Sequence, residues 1–178
     1  LKTETQIICK DLSEEKACFE LFDEVKEQDI DIIINNAGFG MLGEFADTDL
    51  SKELNMIDLN IKAVHILTKL FLKQFIKKDK GYIMNVASSA GFMPGPLMSV
   101  YYATKAYVLN FSQAISEELR RRKSNVHICA LCPGPVKTEF NKVAKIPSWE
   151  NGLNSFEVSE YAIRKMFENK MIIIPGTV

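Results

Sequence analysis

Short apolar runs alternate with longer stretches in which apolar residues recur every three or four positions. The short runs predict strands near 5–9, 30–34, 81–87, 125–131 and 171–174, as in Gln6-Ile7-Ile8-Cys9 and Met171-Ile172-Ile173-Ile174. The longer stretches predict helices near 14–28, 48–58, 60–77, 99–122 and 157–168. Ser13 before Glu14-Glu15 is a candidate N-cap with an acidic first turn, and Asp47-Thr48-Asp49 serves the next helix. Alternation of strand and helix predicts a parallel sheet covered by helices on both faces, in one α/β domain over residues 1–178. The helices at 60–77 and 99–122 keep apolar residues on more than one face: Val64, Leu67, Leu70 and Phe71 on one, Tyr107, Leu109, Phe111 and Ile115 on the other. One face covers the sheet, and the surplus predicts self-association. Ala144 to Ser155, with Pro147, Trp149 and Gly152, fits no period and reads as a long loop of the kind that serves as a lid.

Composition narrows the setting. The chain has 178 residues, 47% of them hydrophobic, and a formal net charge of −1. That balance suits a globular domain with a real core and gives no reason to expect a nucleic-acid partner. Arg120-Arg121-Arg122-Lys123 and Lys77-Lys78-Asp79-Lys80 close predicted helices, where cations compensate the helix dipole. No apolar stretch reaches the length that spans a bilayer, and no membrane partner is expected. Of the four cysteines, Cys129 and Cys132 form Cys-x-x-Cys, but inside a predicted strand their odd separation sends them to opposite faces. Free thiols in a reducing, cytoplasmic setting are expected. His65 and His127 have no ligand partner at usable spacing, and no metal is expected.

The candidate chemistry lies where predicted strands end, the edge at which open α/β sheets bind ligands. The first such end carries Asn35-Asn36-Ala37-Gly38, the second Ser88-Ser89-Ala90-Gly91, and the third Pro133-Gly134-Pro135-Val136-Lys137-Thr138. Tyr101 and Lys105 stand four apart on a predicted helix and therefore share a face. A cation about 4 Å from the phenol, at an effective dielectric of about 20, is worth roughly 4 kcal/mol. That is enough to bring a tyrosine pKa of about 10 toward neutrality, where a general acid for carbonyl reduction works best. Phe39, Met41, Phe92, Met93 and Trp149 are candidates for an apolar substrate pocket, with core packing the favoured reading of each taken singly.

Taken together and in order, these segments resemble the short-chain dehydrogenase/reductase family from about Cys9 to Pro175. Asn35-Asn36-Ala37-Gly38 matches its Asn-Asn-Ala-Gly. Gly81 to Ser88 matches its Gly-x-Ile-x-Asn-x-x-Ser, Tyr101 to Lys105 its Tyr-x-x-x-Lys, and Pro133-Gly134 with Thr138 its Pro-Gly-x-x-x-Thr. The resemblance implies a Rossmann-type, doubly wound parallel sheet in three α/β/α layers. It also implies a catalytic set of Asn60, Ser88, Tyr101 and Lys105. Tyr101 would exchange a proton with the substrate oxygen and Ser88 would orient the carbonyl. Lys105 would lower the phenol's pKa and bond the nicotinamide ribose, and Asn60 would hold a proton-relay water. NADP or NAD, with NADP favoured, would meet Asp11, Asn36, Ala37, Gly38, Tyr101, Lys105, Pro133, Gly134, Val136 and Thr138. Asp11 has a second reading as an N-cap beside Ser13. The substrate would be a small carbonyl or alcohol, and the partner a second copy in a homo-dimer or homo-tetramer.

The family's Gly-rich cofactor turn has no counterpart in this sequence, nor do its first two strands. The chain therefore reads as part of a longer protein, and a sheet built from it alone would have a gap between the strands at 5–9 and 30–34. Two rival functions stand beside the oxidoreductase: a catalytically idle cofactor sensor, opposed by the intact Ser88, Tyr101, Lys105 and Asn60, and a sugar-nucleotide epimerase, opposed by the complete Asn-Asn-Ala-Gly.

Overall fold

The middle strands are apolar at almost every position because helices cover both sides of the sheet. In the computed structural model, which describes residues 3–146 and 152–176, the strands are β1 (Ile32–Asn35), β2 (Gly81–Val86), β3 (Val126–Leu131) and β4 (Ile172–Ile173). They lie in the order β1-β2-β3-β4, all parallel, with Ile33 opposite Ile83 and Ile83 opposite Ile128. The helices are α1 (Glu15–Val25), α2 (Leu50–Ile57), α3 (Val64–Lys78), α4 (Ser99–Arg121), α5 (Phe140–Ala144) and α6 (Ser155–Phe167). Ile83 and Ile128 pack among Cys18 of α1, Phe71 and Phe75 of α3, and Leu119 of α4. On the opposite face Met84, Cys129 and Leu131 pack against Ala162 and Met166 of α6. The result is the expected three-layer α/β/α arrangement, with Cys129 and Cys132 in separate clusters on opposite faces.

Three local expectations are corrected. Residues 5–9 form no strand, and Ile7 is 92% exposed. A strand is a pairing, and no described strand pairs with this segment. The four strands β1 to β4 are contiguous, and β1 is an edge with no described strand beyond it. Ile32 and Ile34 are exposed on the side of β1 that α6 does not reach. Second, α1 begins one residue late, with Glu14 as N-cap and no side-chain cap bond. Ser13 turns back instead, donating its hydroxyl to Asp11 Oδ1 at 2.7 Å. Third, the helices expected at 48–58 and 60–77 are one continuous rod, joined by a π-helical turn over Asp58–Ala63. Asp49 caps its start, accepting from Ser51 N and Lys52 N. The short α5 is an element the sequence did not announce, because five residues carry too little periodicity to see.

A buried polar chain ties the layers together beneath the site. Asn35 Nδ2 donates to Asn85 Oδ1 at 2.8 Å, linking β1 to β2. Thr68 Oγ1 of α3 donates to the same oxygen at 3.2 Å, and Asn85 Nδ2 donates to Ser112 Oγ of α4 at 3.0 Å. Asn85 is fully buried, so truncating it strands its partners away from water. Asn85→Ala is expected to destabilise the fold by about 2 kcal/mol. Urea unfolding would show this as a lower midpoint at unchanged slope; an unmoved midpoint would mean the chain is a bystander.

Candidate active site

Three loops leave the same sheet edge, and α4 runs up to meet them. The β1 strand delivers Asn36, Ala37 and Gly38, all exposed at its C-terminal end. The β2 strand delivers Ser88, which caps a 3-10 turn over Ser89–Phe92 by accepting from Ala90 N at 3.1 Å. The β3 strand delivers Pro133 and Gly134. The β2 and β3 loops are tied to each other: Pro133 O accepts from Ser89 N at 2.9 Å and from Ser88 Oγ at 3.4 Å.

Tyr101 and Lys105 occupy one turn near the start of α4, on the face turned to these loops. Lys105 Nζ is 5.8 Å from the Tyr101 ring centroid. Its ammonium donates to Val86 O, the last carbonyl of β2, at 2.7 Å. Only 6% of Lys105 is exposed, and burial pushes its pKa down from 10.5 to about 8. Burial pushes the Tyr101 phenol above its usual value, while the neighbouring Ser88 hydroxyl pulls it back in part. Without ligand the ammonium is turned to the Val86 carbonyl, and desolvation is the largest influence on both groups.

Asn60 lies in the π-helical turn, 1% exposed. Its Oδ1 accepts from Phe39 N at 3.1 Å, and its Nδ2 donates to Phe39 O at 2.9 Å and Thr104 Oγ1 at 3.1 Å. Both amide protons are thus spent on protein. The side chain clamps the Asn-Ala-Gly-Phe loop. The clamp requires glycine next door: a Cβ on Gly38 would stand 2.9 Å from Asn60 Oδ1 and 3.6 Å from Lys105 Nζ.

The remaining predicted contacts divide. Around Gly134 the space is open, with nothing within 4 Å of where a Cβ would be. Val136 is pinned by a bridge to Leu153, and Lys137 N donates to Leu153 O at 2.9 Å. Thr138 Oγ1 accepts from Phe140 N at 3.2 Å and so starts α5. Asp11 is exposed, and its Oδ1 is taken by the Ser13 N–H and hydroxyl. Those bonds hold its carboxyl below the usual range. They engage one carboxylate oxygen in a local turn, and no hydrogen bond among the described residues joins Asp11 to the rest of the site. Trp149 and Pro147, the core of the expected lid, lie outside the described residues.

Two neighbours of the site escaped the sequence reading. Phe140 of α5 packs on the Tyr101 ring at 5.2 Å between centroids. It also closes over Gly40, where a Cβ would meet its ring at 2.8 Å. Thr104 bonds Asn60 from across the site. Its only sequence signal is its place between Tyr101 and Lys105.

Comparison with known proteins agrees with this geometry. The family model described as short chain dehydrogenase matches residues 1–148. The chain is 34% identical over 152 residues to the very-long-chain 3-oxoacyl-CoA reductase of Homo sapiens, covering 81% of this chain and 47% of that protein. It is 30% identical over 174 residues to estradiol 17-beta-dehydrogenase 11 of Rattus norvegicus, covering 94% of this chain and 57% of that protein. The chain thus spans about half the length of the curated relatives it matches. Among solved structures, a short-chain dehydrogenase from Sphingobium yanoikuyae in complex with NADPH superposes with a TM-score of 0.84 at 28% identity, over 92% of this chain and 64% of that one. With the Asn-Asn-Ala-Gly loop, Ser88 and the Tyr101–Lys105 turn gathered at one sheet edge, the family match has its structural counterpart, and the chain belongs to the short-chain dehydrogenase/reductase family.

Proposed function

We propose that the protein is an NAD(P)-dependent oxidoreductase that interconverts a carbonyl and a secondary alcohol. The observation that carries this is the meeting of Tyr101, Lys105 and Ser88 beside the exposed Asn36–Gly38 loop. The site fits a nicotinamide dinucleotide. Gly38 offers bare backbone where a Cβ would collide, Gly134 borders open space, and Lys105 keeps two N–H donors beyond the one spent on Val86 O. Asn36, Ala37, Gly38, Pro133, Gly134 and Val136 would hold the cofactor, with Lys105 reaching its ribose. When bound, the nicotinamide supplies or accepts the hydride. NADP is favoured over NAD, in line with the NADPH held by the Sphingobium relative.

The chain's own residues handle the proton. Ser88 Oγ can turn from its long 3.4 Å bond with Pro133 O to donate to a substrate carbonyl. Tyr101 then gives its phenolic proton to that oxygen as negative charge develops on it. The Lys105 ammonium stabilises the phenolate left behind, which requires some of its charge to be released from Val86 O. The relatives named for 3-oxoacyl-CoA and estradiol act on carbonyl or alcohol groups attached to large apolar bodies. Phe140 against Tyr101, with exposed Phe92, Met93, Leu97 and Val143 on neighbouring segments, supports an apolar substrate here too.

Self-association is part of the proposal. His65 of α3 stacks on Phe111 of α4 at 5.0 Å, and its Nδ1 lies 2.7 Å from Tyr107 OH. This partly exposed aromatic patch on α3 and α4 supports a homo-dimer or homo-tetramer paired through those helices. A reducing, cytoplasmic setting is supported by four unpaired cysteines, three of them buried.

Three outcomes test this reading. Tyr101→Phe should lower turnover of ketones by about a hundredfold or more while nicotinamide fluorescence still reports binding. A variant that keeps most of the parent's rate would remove Tyr101 as the acid. Lys105→Met should weaken both turnover and cofactor binding, yet stabilise the ligand-free fold at neutral pH. The sign follows from the depressed lysine: from about pH 8 to 10.5 the unfolded chain carries a proton that the folded chain lacks. Parent stability therefore gains as pH rises through that window, and the full burial cost stands below it. The advantage of the Met variant should shrink across the window; a difference independent of pH would contradict the buried charge. Light scattering at micromolar concentration should give a dimer or larger species, and a monomer alone would overturn pairing through α3 and α4.

A further inference from the structure

We propose that Thr104 is a positioning residue for the reaction, joining the Tyr101–Lys105 turn to the Asn60 amide and through it to the backbone of Phe39. The claim rests on the oxidoreductase reading and adds a residue to it. Thr104 is 1% exposed and sits on α4 between the two catalytic side chains. Its hydroxyl has one proton, and that proton goes to Tyr101 O at 2.7 Å, three residues back in its own helix. A buried threonine is already satisfied by such a bond. What the helix does not require is the second contact. A lone pair of Oγ1 accepts from Asn60 Nδ2 at 3.1 Å, across 44 residues of sequence.

The directions of these bonds leave one arrangement. Phe39 N–H needs an acceptor and finds Asn60 Oδ1, while Phe39 O needs a donor and finds Asn60 Nδ2. Flipping the Asn60 amide would set donor against donor and oxygen against oxygen at Phe39. The second Nδ2 proton then has to go to Thr104, whose own proton is already committed to Tyr101 O. Thr104 thereby locks the amide, the amide locks the loop, and the loop carries Gly38 past Lys105 Nζ with no room for a side chain. The loop beneath the cofactor and the catalytic turn of α4 are held as one body. Without the hydroxyl, a buried amide proton loses its partner, and the least costly remedy is to rotate Asn60 away from Phe39.

The test compares Thr104→Val, which keeps the branched shape and drops the hydroxyl, with Thr104→Ser, which keeps the hydroxyl. One readout is independent of activity: amide hydrogen exchange of Phe39, with Ile83 in the middle of β2 as the control for global folding. The other is steady-state reduction of a ketone with NAD(P)H. In Thr104→Val, Phe39 exchange should quicken about tenfold and kcat should fall about tenfold with substrate KM little changed, the size expected for one lost buried hydrogen bond. Ile83 exchange should stay as in the parent, and Thr104→Ser should restore both affected readouts. Parent-like Phe39 exchange in Thr104→Val would overturn the link to the loop. Faster exchange with unchanged kcat would reduce Thr104 to a structural residue and overturn its role in the reaction. Failure of Thr104→Ser to rescue would assign the effect to the methyl group and not to the hydroxyl. A parent that turns over no carbonyl or alcohol would instead strike the oxidoreductase reading itself, with Phe39 exchange still reporting whether the lock exists.

Discussion

Burial of the Lys105 ammonium is the constraint on which the site's geometry depends. A lone charge taken out of water is expensive unless something compensates it. Here the compensation is one backbone carbonyl, Val86 O, at the very end of β2. That bond ties the Tyr101–Lys105 turn of α4 to the end of β2, alongside the packing of Val108, Leu109 and Leu119 on the sheet. Two glycines record how closely the surroundings pack on this turn. A Cβ on Gly38 would come within 3.6 Å of Lys105 Nζ, and one on Gly91 within 2.8 Å of Lys105 O. A side chain at Gly91 would press on the Lys105 backbone of α4, while at Gly38 the close contact would be with Asn60. Burial still pushes the ammonium's pKa down to about 8, so one carbonyl does not offset the whole cost. A site that leaves a cation under-solvated favours whatever brings it oxygen atoms, such as a ribose hydroxyl or a phenolate formed next to it.

The polar chain beneath the site does the opposite work. Asn35, Thr68, Asn85 and Ser112 bond one another in a chain that ends on Val108 O, and no buried side-chain nitrogen or oxygen among the described residues lacks a partner. Such networks are rigid, because moving one member unpairs the next. They hold β1, β2, α3 and α4 in one frame, and Lys105 is buried above it with one carbonyl for a partner. A rigid base and a partly satisfied cation above it fit the usual division between scaffold and site.

How much of this was legible in the sequence depends on how far each signal reaches along the chain. The β2 and β3 strands and α4 were read within about a residue, since each is a continuous local pattern. Tyr101 and Lys105 were legible as a pair because helical spacing alone brings them together. Their electrostatics were not legible, because the ammonium's partner is a carbonyl 19 residues upstream that no spacing announces. The error at residues 5–9 has a similar source. Apolar alternation shows that a segment can be a strand, but only a neighbour makes it one. The rod from α2 to α3 was split in two because a π turn shifts the hydrophobic face by part of a residue, which resembles an end and a new start. That same turn presents Asn60 to Phe39, so the irregularity that misled the sequence reading is also the feature that builds the clamp.

The clamp and the cation can be weighed against each other. Asn60 holds Phe39 by two hydrogen bonds and Lys105 holds β2 by one, and Thr104 lies on the helix between them. Only the lysine bond is to a group that ligand can replace, because an ammonium has donors to spare and its stem can swing. The amide has both protons committed and sits in a turn it cannot leave without unpairing Phe39. Motion on binding should therefore concentrate in the Lys105 head group and in the Ser88 hydroxyl, whose bond to Pro133 O is the long one at 3.4 Å. The loop from Asn36 to Gly40 should stay where Asn60 has put it. The floor of the site is then set before ligand arrives, and the adjustment on binding falls to the two groups that handle charge and the carbonyl oxygen.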